Sequence, residues 1–318
     1  MLLQVRDIVK IVESPSAWSL PAPRRDIRRA CLTDLFSQIP EFCRALLPSS
    51  RSAITQLNRA LKSAVSIPPS EETRRMSLYS SVGLAVDRGA LFLSGHDVVS
   101  APLRLLKAYR NNSTKRLAQV LEVYKPPERG DFNRRDIIGL LYVLGRLEPV
   151  FRGFRPLSDV VTTQLPTRLS HRSAQQWLER IVAPGVSDEI VQLLRSLQSI
   201  SLPGIVYPNP VFGGLGPIIG SDGDWIAGDT LVELKCTVSG MQREFVTQVI
   251  CYFALSRLPD RQNQLPNFSN LAICLPRQSA TVTGTVDEWL SAFGAPQSSI
   301  VVNAIHQYFS LDVPAAAH

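Results

Sequence analysis

Between positions 222 and 252 lie Asp222, Asp224, Glu233, Lys235, Gln248 and Tyr252. These are residue types that metal-assisted phosphate chemistry uses. Two or three carboxylates held close together repel one another unless a cation or a proton sits among them. Hard oxygen donors with open positions suit Mg²⁺ or Mn²⁺. A lysine beside a carboxylate-held metal can orient a water molecule and offset charge developing on a phosphate. The chain has 28 Arg and 6 Lys, and Lys235 is the only lysine after residue 160. Arginine keeps its proton and is a broad planar fork, whereas lysine is a compact point charge. The single lysine of the second half therefore stands at the place where that chemistry would need one.

Positioning these groups falls to a hairpin. A turn at Gly228-Asp229 pairs Ala227 with Thr230, Ile226 with Leu231, Trp225 with Val232 and Asp224 with Glu233. One more step places Asp222 opposite Lys235. Alternation then gathers Asp222, Asp224, Glu233 and Lys235 on one face, with Trp225, Val232 and Leu234 on the other. An amphipathic helix is expected over Met241–Leu258, where Gln248 and Tyr252 stand one above the other at i and i+4 and Glu244 shares their stripe. Asp222 reads equally well as a turn residue before the strand, Asp229 reads as a turn residue, Cys236 as a packing cysteine, and Arg277 as a surface arginine that could reach a phosphate. Tyr252 reads equally well as a core tyrosine.

The elements around the hairpin follow from periodicity. Helices are expected over Ile27–Leu47, Ile54–Val65, Arg134–Glu148, 172–183 and 187–199. Pro149 should end or kink the third of these, and Ser187 should cap the last. Strands are expected at Asn270–Leu275 and Ala280–Gly284, and closing helices at Val286–Phe293 and Ser299–Phe309. PPSEETRR, after Ile67, reads as an exposed linker. Helices followed by a hairpin, a helix and a further strand indicate an α/β class with a mixed sheet flanked by helices.

Asp224 followed by Glu233-Leu234-Lys235 resembles the PD-(D/E)xK, restriction-endonuclease-like nuclease superfamily. Gln248-xxx-Tyr252 on the next helix resembles the QxxxY motif of its RecB-like and Cas4-like branch. The resemblance covers roughly residues 205–285 and weakly includes Leu147-Glu148-Pro-Val-Phe-Arg152 upstream. It implies a helical, basic N-terminal region over 1–127 and a nuclease-like α/β domain over 128–318. Asp224 and Glu233 would be metal ligands with the Leu234 carbonyl, and Lys235 would orient the attacking water. Gln248 and Tyr252 would support substrate or metal. Glu148 is the candidate for a further ligand from an upstream helix, although its spacing does not set it above Glu179 or Glu189. The implied activity is Mg²⁺- or Mn²⁺-dependent hydrolysis of phosphodiester bonds, with DNA ahead of RNA, in phage defence, restriction or repair. A second copy of the chain or a defence-system protein would be the partner. A nucleic-acid- or partner-binding protein on the same fold, with little or no catalysis, is the alternative.

Composition narrows the remaining classes. The chain has 318 residues and a formal net charge of +7. Residues 1–160 carry 25 basic and 15 acidic side chains, the rest 9 and 12. A basic first half fits a polyanion-binding surface. Five widely spaced cysteines without a CxxC exclude a disulfide framework, a zinc ribbon and a ferredoxin-type cluster. The four histidines lack HxH or HExxH spacing, and Gly213-Gly-Leu-Gly lacks the GK[ST] of a nucleotide cradle. No apolar run reaches the ~20 residues that span a bilayer, and the first residues do not read as a signal peptide. The expectation is a soluble, cytoplasmic protein.

Overall fold

The structure, a computed structural model, describes residues 1–10, 18–22, 30–64, 66–109, 112–126, 131–151, 165–200, 205–259 and 265–310. Ile27, Val65, Arg152, His318 and the expected 127/128 boundary lie outside these. Packing divides the chain into two units, Met1–Val65 with Ile200–Lys235 and Ser239–His318, and Ser66–Ser199 with Cys236–Val238. The division therefore runs differently from the 1–127 and 128–318 expected from the resemblance. Its first boundary falls just before PPSEETRR, and that segment is more than a linker, because its second half forms a helix capped by Ser70.

The first unit is built on a six-stranded mixed sheet. It opens with β1 (Leu2–Gln4), α1 (Val5–Ile8), β2 (Ala30–Cys31), α2 (Leu32–Gln38), α3 (Pro40–Leu46) and α4 (Ser50–Leu61). The second unit then supplies α5 (Glu71–Arg75), α6 (Tyr79–Leu93), α7 (Ser100–Ala108), α8 (Asn112–Tyr124), α9 (Arg135–Phe151), α10 (His171–Ile181) and α11 (Pro184–Ser199). The chain returns to the first unit through β3 (Ile205–Pro208), β4 (Ile218–Gly220), β5 (Trp225–Ala227) and β6 (Thr230–Leu234). It closes with α12 (Arg243–Ser256), β7 (Asn270–Leu275), β8 (Ala280–Thr285), α13 (Val286–Ala292) and α14 (Ser298–Ser310). The sheet order is β1-β8-β7-β6-β5-β3, and β2 and β4 form a separate parallel pair. β6 and β7 are parallel and joined by α12, while β5–β6 and β7–β8 are antiparallel. β7 is packed against both α12 and α13, and Leu271 to Leu275 are all buried in a continuously apolar run.

The hairpin has the expected register, Trp225 with Val232, Ile226 with Leu231 and Ala227 with Thr230. Gly228 takes φ +60 at the first central turn position, which an L side chain resists, and Asp229 occupies the second. Asp229 also ties the turn to β7, because its carbonyl accepts from Ser269 and Asn270 amides at 3.0 and 3.1 Å.

α12 differs from the amphipathic helix expected. Every residue from Val246 to Ser256 is buried. The helix packs on β6 and β7 and is covered by α2, α3, α4 and α14, so it has no wide solvent face. Residues 1–65 join this unit for the same reason, and because β1 pairs in parallel with β8.

The second unit is helical. α9 carries a fully buried run from Ile137 to Leu141 against α6 and α10. A Cβ at Gly139 would lie 2.0 Å from the Leu178 carbonyl oxygen, so α10 approaches α9 at a spacing only glycine permits. Two local expectations are settled here. Of the two outcomes expected at Pro149, termination is not the one found, since α9 continues to Phe151. α11 begins at Pro184, placing Ser187 one turn inside, with its amide bonded to the Ala183 carbonyl at 2.9 Å; proline at the first helical position already sets the start.

Candidate active site

The two hairpin strands part at Asp224. Beyond Trp225 the chain stays with the β3 side, where the Asp224 carbonyl accepts from Asn209 N at 2.9 Å and Gly223 N donates to the Pro210 carbonyl at 3.0 Å. Asp222 bridges Val211. The expected pairing of Asp222 with Lys235 is therefore not formed, because the ladder has already opened. Leu234 loses the backbone partner a continuing ladder would supply, and its amide donates to Asp224 Oδ2 at 2.5 Å instead. The fork holds Asp224, Glu233 and the Leu234 carbonyl at the last residue of β6.

Glu233 is the centre of the site. It is 3% exposed. Its Oε1 accepts from Lys235 Nζ at 2.7 Å and from Gln248 Nε2 at 2.9 Å. Its Oε2 is buried and has no hydrogen-bond partner among the described residues. Burial pushes the Glu233 carboxyl up from its ordinary value; Lys235 opposes this, the charge of Asp222 adds to it, and a hydrogen bond from the Asp224 backbone opposes it. An ionised carboxylate with one buried oxygen left unpartnered is held in an unfavourable state. Lys235 also lies over the Phe245 ring, 5.5 Å from its centroid, and remains partly exposed.

Tyr252 serves both readings the sequence left open. Its ring stacks on the buried Phe212 at 4.8 Å, as a core residue would. Its hydroxyl accepts from Gln248 Nε2 at 2.6 Å and donates to the Asp222 carbonyl at 2.7 Å. Burial raises its pKa well above the usual phenol value, and the charges of Glu233, Asp222 and Asp224 raise it further. The phenol thus stays protonated and acts as a donor that pins the 222–224 strand. The charges of Glu233, Asp222 and Asp224 all bear on this one hydroxyl.

Asp224, Glu233, Lys235, Gln248 and Tyr252 are thus brought together in the sheet unit. The three upstream glutamates belong to the helical unit and are engaged there. Glu148 pairs with Arg88 at 2.6 Å, and Glu179 accepts from Gln175 at 3.2 Å. Glu189 accepts from Ser70 N at 2.8 Å and Thr73 Oγ1 at 2.6 Å. Glu189 thereby serves the start of α5. Arg277, read as a surface residue, is fully buried in the 3₁₀ turn after β7. Gly213 is a loop residue at φ +70 whose carbonyl accepts from Ser221 Oγ at 2.9 Å. The role of Asp224 as a backbone acceptor was not visible in the sequence, since it depends on where the strands part.

No group of three or more His, Cys, Asp or Glu side chains suited to a metal ion occurs among the described residues. A cation here would rest on two carboxylates and backbone oxygen. The open Oε2 of Glu233 fits that donor set, with hard oxygen chemistry suited to Mg²⁺ or Mn²⁺. No helix among the described residues is long and apolar enough to cross a membrane. Comparison of the chain with protein-family models, with curated proteins and with solved structures finds no match. What the molecule itself defines is a mixed α/β protein with a buried acid–lysine–amide–phenol cluster at a split hairpin.

Proposed function

We propose that the chain is a divalent-metal-dependent nuclease with a restriction-endonuclease-like sheet unit, hydrolysing phosphodiester bonds of nucleic acid, DNA ahead of RNA. The observation that carries this reading is the buried Glu233 carboxylate, bonded through Oε1 to Lys235 and Gln248 and open at Oε2 beside Asp222 and Asp224. The β5–β6 hairpin, the α12 crossover and the parallel β7 supply the scaffold such a site uses.

Asp224, Glu233 and the Leu234 carbonyl would hold Mg²⁺ or Mn²⁺. When bound, the ion supplies Lewis-acid polarisation of a phosphoryl oxygen and a lowered pKa for bound water. Lys235 presents an ammonium group that orients a water molecule and offsets charge on the phosphate. Gln248 fixes Glu233 through Oε1, leaving Oε2 for the cation. Tyr252 fixes the strand bearing Asp222 and Asp224.

The lack of a three-acid cluster among the described residues favours the alternative, a nucleic-acid- or partner-binding protein on the same fold. Plasmid and single-stranded substrates incubated with Mn²⁺, alongside Lys235→Ala, separate the two. Metal-dependent products from the wild type that disappear in the variant support the nuclease. No products from the wild type favour the binder.

A further inference from the structure

α4 buries Ala53, Leu57 and Leu61 and turns a different chemistry to solvent. Its outer side lines a shallow groove of about 640 Å³ with Ser49, Arg51, Ser52, Thr55, Gln56 and Arg59, and among the described residues no carboxylate contributes. Arg51, Thr55 and Arg59 are exposed and recur every fourth residue, so the two guanidinium groups originate about 12 Å apart along the axis. The neutral lining is ordered from within, Thr55 Oγ1 donating to the Arg51 carbonyl at 2.7 Å and Gln56 Nε2 to Ser52 Oγ at 3.2 Å. Elsewhere in this unit Arg6 and Arg44 are paired with Glu288 and Glu41. Arg51 and Arg59 have no ion pair or side-chain hydrogen bond among the described residues.

The helix is fixed to the segment that leads into α12. Asn58 Nδ2 donates to the Met241 carbonyl at 3.0 Å and Met241 N donates back to Asn58 Oδ1 at 2.8 Å. At the other end of α4, Arg243 Nε donates to Ser50 Oγ at 2.8 Å. α12 also carries Gln248 and Tyr252. The groove and the carboxylate site are thus anchored to the same helix.

We infer that this face of α4 is a track for one sugar–phosphate strand of the nucleic-acid substrate, an assignment that rests on the nuclease reading for the identity of the strand. Arginine forks match phosphate oxygens bidentately. Hydroxyl and amide donors add backbone contacts that fix position without reading sequence. With no acid among the described lining residues, the charge that the groove itself presents is attractive to a polyanion.

The test measures binding of a fluorescein-labelled oligonucleotide, single-stranded and duplex, in EDTA across a salt series. The proteins are wild type, the double variant Arg51→Gln/Arg59→Gln, and Arg44→Gln as a paired-arginine control. The double variant should keep the wild-type melting temperature. Its log affinity against log salt should flatten by about 1.4 for a single strand or about 1.8 for a duplex, because two phosphates are no longer neutralised. Arg44→Gln should leave the slope unchanged. An unchanged slope in the double variant overturns the track, and retained Mn²⁺-dependent cleavage then leaves the nuclease reading standing. A wild type that neither binds nor cuts any oligonucleotide overturns both. Loss of binding to phosphatidylserine vesicles with no change toward the oligonucleotide would assign the face to a lipid surface and overturn the track as well.

Discussion

Two buried carboxylates, one in each unit, have been treated in opposite ways. Asp136, on α9 of the helical unit, is 1% exposed. Its Oδ1 accepts from Arg134 Nε and its own Ile137 amide at 3.1 Å, and its Oδ2 accepts from Tyr124 OH at 2.8 Å and from Arg134 Nη2. Burial pushes its pKa up, but the Arg134 and Tyr124 hydrogen bonds outweigh that and hold it below the ordinary value. Glu233 in the sheet unit is equally buried and keeps one oxygen open, and its pKa goes up. A satisfied carboxylate is a structural brace. Under the proposed function, the buried carboxylate left half satisfied is where the cation would bind.

The largest effect that would sharpen this contrast is catalytic. Lys235→Ala should lower metal-dependent cleavage by about 10²–10³-fold, in the range seen when a single stabilising group is removed from a transition state. Asp136→Asn should leave cleavage intact when both are assayed on the same substrate. Stability should divide the pair the other way. Asp136→Ala removes a charged acceptor from Arg134 and Tyr124 and should cost about 2–3 kcal/mol in urea melts. Saturating Mn²⁺ should stabilise the wild type by about 2.7 kcal/mol at a hundredfold excess over Kd. That increment should persist in Asp136→Asn and vanish in Glu233→Gln.

The two groups should also titrate with opposite sign. The lowered pKa of Asp136 gives stability present above pH 3.8, its ordinary value, and lost as pH falls through the depressed value. The raised pKa of Glu233 gives the metal-free protein a contribution present below pH 4.5 and lost as pH rises through the elevated value. The Mn²⁺-induced rise in Tm should therefore grow across that same interval, because the cation needs the ionised form. Differential melts of Asp136→Asn and Glu233→Gln against pH check both signs. The smallest effect expected is that of Tyr252→Phe, about 1 kcal/mol, from loss of the donor to the Asp222 carbonyl.

Much of this contrast could be read in advance only on the sheet side. The Gly228-Asp229 turn and the alternation around it are local signals, so the hairpin register and β7 were legible. The gathering of Glu233, Lys235, Gln248 and Tyr252 followed from that register and from i, i+4 spacing. The short strand β1 was not legible, since its three residues acquire meaning only by pairing with β8, some 280 positions away. Nor was the burial of Gln248 on every side, which depends on α2, α3, α4 and α14 covering α12. Arg277 was misread for the same reason, as no local pattern distinguishes a buried arginine from a surface one.

The most direct measurement is a Mn²⁺ titration followed by electron paramagnetic resonance of the free ion, on wild type, Glu233→Gln and Asp136→Asn. One bound ion in wild type and Asp136→Asn, absent from Glu233→Gln, is the expected result. Binding that is undetectable in all three at millimolar Mn²⁺, or undiminished in Glu233→Gln, would contradict a cation site at the open oxygen of Glu233.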